Sequence, residues 1–142
     1  MKQDTVNTDK MNKEKQFELL HKTLVDIFKD YVDNVMKTLA SLIIAIGWIL
    51  TSVDAQEFIR KSDVRIYYTA LAAIVSIGLV HTIISIGMQV RSQSTTVYLN
   101  ELNFTDKKYY EHYHITRLHM FANLIVNIFM FCILFVMIFS LR

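Results

Sequence analysis

The chain has 142 residues, of which 53% are hydrophobic, with 15 Lys and Arg against 13 Asp and Glu, three Gly and no Pro. A chain of this length forms one domain, and the scarcity of Gly and Pro favours long helices over an all-β fold. A formal net charge of +2 gives no basic field for nucleic acid, so no nucleic-acid partner is predicted.

The first predicted element is an amphipathic helix over 13–37, preceded by a polar tail, 1–12, that is predicted to be disordered. Apolar residues recur in the helix at alternating spacings of three and four, and opposite charges four residues apart occupy its other faces. We interpret the apolar stripe as a face for a partner or a second copy, formed by Phe17, Leu20, Leu24, Ile27 and Tyr31.

Three uncharged stretches predict transmembrane helices over 38–53, 66–90 and 117–141. The first is short, so a re-entrant or partly inserted helix is the alternative there. It continues the amphipathic helix as a single helix, and the stripe becomes small or weakly polar within it. This favours close contact with other helices in lipid. The continuing stripe is Asn34, Thr38, Ser41, Ala45 and Trp48.

Two connections separate these spans. Segment 54–65 is predicted to be a short exported interfacial loop or helix, capped by Asp54 with Glu57 reaching back. Segment 91–116 is predicted to be a cytoplasmic loop and helix extension, with a new helix that starts near 103–106 and runs into the last span. With eleven Lys and Arg on one side against four on the other, we expect a cytoplasmic N-terminus and an exported C-terminus in the inner membrane.

Polar side chains form a stripe on each of the last two spans, and unsatisfied polar groups do not face lipid. His81 lies ten residues before Arg91 and Asn127 ten after Arg117, which places them at one depth in antiparallel helices. We predict a polar intramembrane cluster, closed by apolar residues on the exported side, whose members are His81, Thr82, Ser85, Gln89, His119, Asn123, Asn127 and Ser41.

Two interpretations of this cluster stay open, namely hydrogen bonds between helices and a polar pocket or a lumen formed by several copies. No haem is predicted, because His81 and His119 differ by about 12 Å in depth and cannot flank one iron. No other cofactor and no metal is predicted either, since His112 and His114 would point about 200° apart on a helix. Phosphate-loop, nucleophile-elbow and zinc-protease motifs are missing and no span holds a carboxylate, so we predict no catalytic residue and no enzyme.

The sequence therefore predicts an all-α integral inner-membrane protein, with three transmembrane helices extended into a small cytoplasmic helical bundle by the N-terminal amphipathic helix. The predicted function is that of a non-enzymatic assembly or accessory subunit, embedded in the lipid bilayer. Such a subunit oligomerises or anchors a membrane or cytoplasmic partner. The alternative is a homo-oligomeric pore or transport element, with a polar path lined by the second and third spans.

Overall fold

The computed structural model describes the backbone of residues 2–102 and 107–141, and side chains from residue 12 onward within those ranges. The described chain is helical, without a strand, which confirms the predicted class. Its elements are α1 (Lys2–Thr51), α2 (Val53–Lys61), α3 (Val64–Leu102), two 3₁₀ turns (Lys107–Tyr109 and Glu111–Tyr113) and α4 (Arg117–Ser140).

Three helices are long and apolar enough to cross a membrane: α1 from Asn12, α3, and α4 with the turn before it. At 1.5 Å per residue α1 is about 75 Å long and α3 about 58 Å, against about 36 Å for α4. A bilayer core is about 30 Å thick, so α1 and α3 exceed one span whereas α4 matches it. The antiparallel pair α1 and α3 therefore extends beyond α4 at one end; we call this part the α1–α3 extension.

The structure differs from the predicted N-terminal tail. Helix α1 begins at Lys2, whereas the sequence predicts disorder over 1–12 and a helix from residue 13. Adding residues to an existing helix costs much less than nucleating a new one, and the segment contains neither Pro nor Gly to stop it.

The turn between α1 and α2 is built by side chains and needs no glycine. Ser52 is extended, and its Oγ accepts a hydrogen bond from the backbone N–H of Ala55 (3.1 Å). Gln56 Nε2 donates to the carbonyl oxygen of Ile49 (3.0 Å), which satisfies an end carbonyl of α1. The predicted cap, Asp54, is instead in the first turn of α2.

The connection before α4 also differs from the prediction. The expected start near 103–106 lies outside the described residues, and α4 begins only at Arg117, with Thr116 as its N-cap. Tyr110 and Ile115 are both buried against α1 and α3. In a continuous helix these two side chains would point about 140° apart, so one helix could not bury both. The segment forms 3₁₀ turns instead.

The buried residues form successive layers along the bundle. In the α1–α3 extension, the first cluster consists of Leu24, Leu99 and Tyr110, and the second of Ile27, Tyr31 and Ile115. A polar layer around His81 follows. At the far end the third cluster is apolar and consists of Leu42, Ile49, Tyr67, Leu134 and Ile138.

Candidate functional site

His81 is the centre of the polar layer and is 5% exposed. It lies midway along α3 and faces both α1 and α4. Its Nδ1 lies 2.9 Å from Thr38 Oγ1 and 3.2 Å from Asn34 Nδ2, both on α1. On α4, the amide nitrogens of Asn127 and Asn123 lie 3.3 and 3.4 Å from Nε2. One imidazole therefore joins all three long helices, with His81 and Asn127 at the same level as expected from their equal separations from Arg91 and Arg117.

The hydrogen-bond network assigns the tautomer of His81. Thr38 Oγ1 donates its single proton to the carbonyl oxygen of Asn34 (2.9 Å), which leaves the hydroxyl oxygen to accept a proton from His81 Nδ1. With the proton on Nδ1, Nε2 is an acceptor, and it faces the amide nitrogens of Asn123 and Asn127. In this tautomer Asn34 Nδ2, itself a donor, lies beside the protonated Nδ1 without a hydrogen bond to it. The network thus fits a neutral imidazole that pairs with Thr38 on α1 and with the two asparagine amides on α4.

Two buried polar atoms beside His81 have no hydrogen-bond partner within the described part of the chain. They are Ser85 Oγ and Asn127 Oδ1, on residues that are 2% and 5% exposed. Asn127 Nδ2, in contrast, donates to the carbonyl oxygen of Asn123 at 2.8 Å. Buried polar atoms in proteins nearly always have a partner, so these two need an explanation.

Both atoms belong to residues that line a cavity of about 210 Å³ between α3 and α4. His81, Gln89 and Asn123 also line it, and the exposed Arg117 lies at one end. A second, apolar groove of about 530 Å³ continues between the same helices. The cavity and the groove have Thr82, Leu124 and Asn127 in common.

The structure brings together most of the predicted cluster. Ser85, Gln89 and Asn123 join His81 and Asn127 around the cavity. Thr82 also lines the cavity, but its hydroxyl donates to the carbonyl oxygen of Gly78 (2.9 Å).

Two predicted members lie elsewhere. Ser41 is exposed, because the larger apolar Leu42 beside it packs into the third cluster instead. His119 is exposed as well. Its Nδ1 accepts a hydrogen bond from the backbone N–H of Thr116 (3.2 Å) and so completes the cap of α4. The predicted cluster is wrong for these two residues.

Asn34 and Thr38 contact His81 although neither was among the predicted members of the cluster. Asn34 precedes Lys37 in the chain and therefore lies outside the uncharged run that defines the first span. Its position four residues before Thr38 on the predicted stripe was the available signal.

The apolar stripe predicted as a partner face is covered by the chain itself. Leu24 is fully buried against Leu99 and Tyr110, and Phe17 and Leu20 pack against the same cluster. Ile27 and Tyr31 are buried with Ile115, and Tyr31 Oη donates to the carbonyl oxygen of His119 (3.1 Å). The structure corrects the interpretation of this stripe: it is internal packing.

Among the described residues no group of three His, Cys, Asp or Glu side chains is placed to hold a metal ion. The chain matches no protein-family model, no curated protein and no solved structure. Its function is therefore argued from its own surfaces and cavities.

Proposed function

We propose that this chain is a multi-pass protein of the cytoplasmic membrane and acts, without catalysis, as a subunit that assembles with copies of itself or with another membrane protein. Three apolar helices of sufficient length support the membrane placement. The excess of Lys and Arg in the N-terminal segment and in the connection between the second and third spans supports a cytoplasmic N-terminus and an exported C-terminus.

The distribution of polarity in the three-helix part also supports membrane placement. Its buried centre holds His81, Ser85 and Asn127, whereas large apolar side chains such as Ile83 and Phe129 are more than half exposed. A water-soluble protein rarely exposes so much contiguous apolar surface. Hydrocarbon around these helices makes the same arrangement favourable, because the polar groups then pair inside and the apolar ones face lipid.

The outward face of α3 is the observation that carries the assembly role. At 100° per residue, small exposed residues recur on a side of α3 that lies about 80–140° around the helix from His81, with Val80 between them; we call this the small-residue face, formed by Thr69, Ala73, Ser76 and Gly87. A Cβ added at Gly87 would meet nothing within 4 Å, whereas one at Gly78 would lie 3.0 Å from the ring of Phe131. Gly78 thus serves packing inside the chain, and Gly87 does not.

Small residues on the outside of a transmembrane helix favour association with another helix. Lipid tails are as apolar as Leu, so helix association in a bilayer depends on close backbone approach and on interhelical hydrogen bonds. Ala73 and Gly87 permit such an approach, and the hydroxyls of Thr69 and Ser76 lie on the same side. We infer that a further transmembrane helix, from a second copy or from a partner, packs on this face.

Substitutions that add bulk to the small-residue face test the assembly role. We expect Ala73→Phe and Gly87→Phe to leave the fold intact, because both positions are open in the single chain, and to abolish association. The measurement is native mass spectrometry of the tagged chain, extracted gently from its own membrane at natural abundance. It reports copy number and partner mass together.

The matched control is Ile125→Phe, which adds bulk at an exposed position of α4 away from the small-residue face. This variant should retain the wild-type complex. A wild-type chain that is monomeric and free of partners contradicts the proposal, as does a complex of unchanged mass in Ala73→Phe.

The alternative, a homo-oligomeric pore lined by the second and third spans, has weaker support. His81, Asn123 and Asn127 contact one another inside one chain, and the cavity that they line lies between α3 and α4 of that chain. The mass measurement also addresses this alternative, since a closed ring of four or more identical copies favours a pore and a stoichiometric complex with a different protein favours an accessory subunit.

A further inference from the structure

The cavity between α3 and α4 combines features that together specify a ligand group. Its walls are largely apolar, with Ile86, Phe121 and Leu124 among them, yet two polar atoms on its lining residues are buried and unpaired. Ser85 Oγ–H is a donor in need of an acceptor, and Asn127 Oδ1 is an acceptor in need of a donor. A single group that paired with both atoms would accept one hydrogen bond and donate another.

Ser85 differs from several other hydroxyl residues on α3, which hydrogen-bond to their own helix. Thr82 and Ser76 on α3 each donate to the carbonyl oxygen four residues earlier, at 2.9 and 2.8 Å. Exposed hydroxyls in an apolar helix commonly satisfy themselves in this way. Ser85 lines the cavity and has no such bond.

We propose that this cavity is a binding site for a hydroxyl group, which accepts from Ser85 Oγ–H and donates to Asn127 Oδ1 beside the imidazole of His81. A hydroxyl can accept one hydrogen bond through its oxygen and donate another through its hydrogen. The volume of about 210 Å³ accommodates about seven water molecules at about 30 Å³ each, or one small head group.

The hydroxyl has two possible sources, and both fit the surroundings. Water enters from the end of the cavity marked by the exposed Arg117 and by Gln89. The hydroxyl head of a single-tailed amphiphile enters from the apolar groove, which shares Thr82 and Leu124 with the cavity and accommodates an alkyl tail in its 530 Å³.

Access of water is tested with the full chain in phosphatidylcholine vesicles, whose head group contains no hydroxyl. Ser85→Cys is placed on a Cys132→Ala background and treated with a small charged methanethiosulfonate reagent. The control is Ile83→Cys, which lies two residues away and faces outward. Only a hydrated thiol ionises and reacts, so we expect Ser85→Cys to react at least about tenfold faster than Ile83→Cys.

The source of the hydroxyl is distinguished by a pair of probes, 1-dodecanol and dodecane. If an amphiphile occupies the site, 1-dodecanol slows modification of Ser85→Cys by at least about threefold and dodecane does not, because the thiol keeps a weak S–H donor and Asn127 Oδ1 is unchanged. If water alone occupies it, neither probe slows the reaction. The proposal is overturned if Ser85→Cys reacts no faster than Ile83→Cys and the two probes act alike.

Thermal unfolding gives a readout that does not depend on the engineered thiol. With a hydroxyl bound, Ser85→Ala removes its partner and lowers the midpoint temperature by at least about 2 °C relative to Ser76→Ala. In an empty cavity Ser85→Ala removes an unpaired buried hydroxyl and raises the midpoint, which overturns the proposal. Rapid reaction of Ile83→Cys contradicts the proposed membrane placement instead, and the thermal comparison still decides the cavity.

Discussion

The α1–α3 extension buries mainly apolar side chains, whereas the polar layer around His81 buries polar ones. In the extension the buried side chains are mainly apolar, such as Leu24 and Ile115, with the small polar Ser92 and Thr95 among them, while Lys22 and Asp26 are exposed. In the polar layer the buried side chains are His81 and Asn127, with large apolar residues outside. Helix α1 runs through both regions without interruption.

The difference fits the proposed membrane placement, in which α1 lies partly in water and partly in lipid. Water around the extension would favour burial of apolar area, at about 25 cal/mol per Å². Lipid around the polar layer would remove that driving force, and polar groups would then gain most by facing each other inside the bundle. Three predictions of stability, measured as free energies of unfolding in mixed micelles, test this contrast.

The largest effect is expected in the extension. Leu24→Ala removes a fully buried side chain from the first cluster and should cost about 3 kcal/mol, since the cavity left behind adds to the lost burial. The control, Leu19→Ala, changes an exposed residue on the same helix and should cost less than about 0.5 kcal/mol. Equal losses of stability in Leu24→Ala and Leu19→Ala would support the earlier interpretation of the apolar stripe as a face for a partner.

An intermediate effect is expected in the polar layer. His81→Leu leaves the amides of Asn123 and Asn127 and the hydroxyl of Thr38 without their shared partner, and we expect a loss of about 2 kcal/mol. The exposed His112 provides the control, because His112→Leu should leave stability nearly unchanged. A more stable His81→Leu variant would show that the polar layer does not hold the helices together.

The smallest effect is expected at the boundary between the two regions, where α4 begins. Thr116→Ala removes the acceptor for the backbone N–H of His119 and should cost about 1 kcal/mol. Thr116→Ser keeps the hydroxyl and should recover most of the loss. If Ser and Ala are equally destabilising, the side-chain cap does not fix the start of α4.

The errors of the sequence interpretation share a cause. The alternating spacing of three and four on α1 identifies an apolar stripe correctly but not what covers it. Tyr110 and Ile115 supply that cover from a connection whose conformation is set by burial. His119 was misplaced for a similar reason. Its spacing on a regular helix predicts a position facing the other helices. In the structure α4 begins only at Arg117, and the ring of His119 bonds back to the backbone N–H of Thr116.

The amino-acid sequence by itself determined the helical class, the three apolar helices and the level shared by His81 and Asn127. Each follows from a local quantity: the absence of Pro, the length of an uncharged run, and a fixed rise per residue in antiparallel helices. Only the tertiary structure decided that Leu42 rather than Ser41 faces inward, that the apolar stripe is internal, and that Ser85 and Asn127 leave unpaired atoms beside a cavity. These depend on how each helix is rotated about its axis, which packing against the other helices sets.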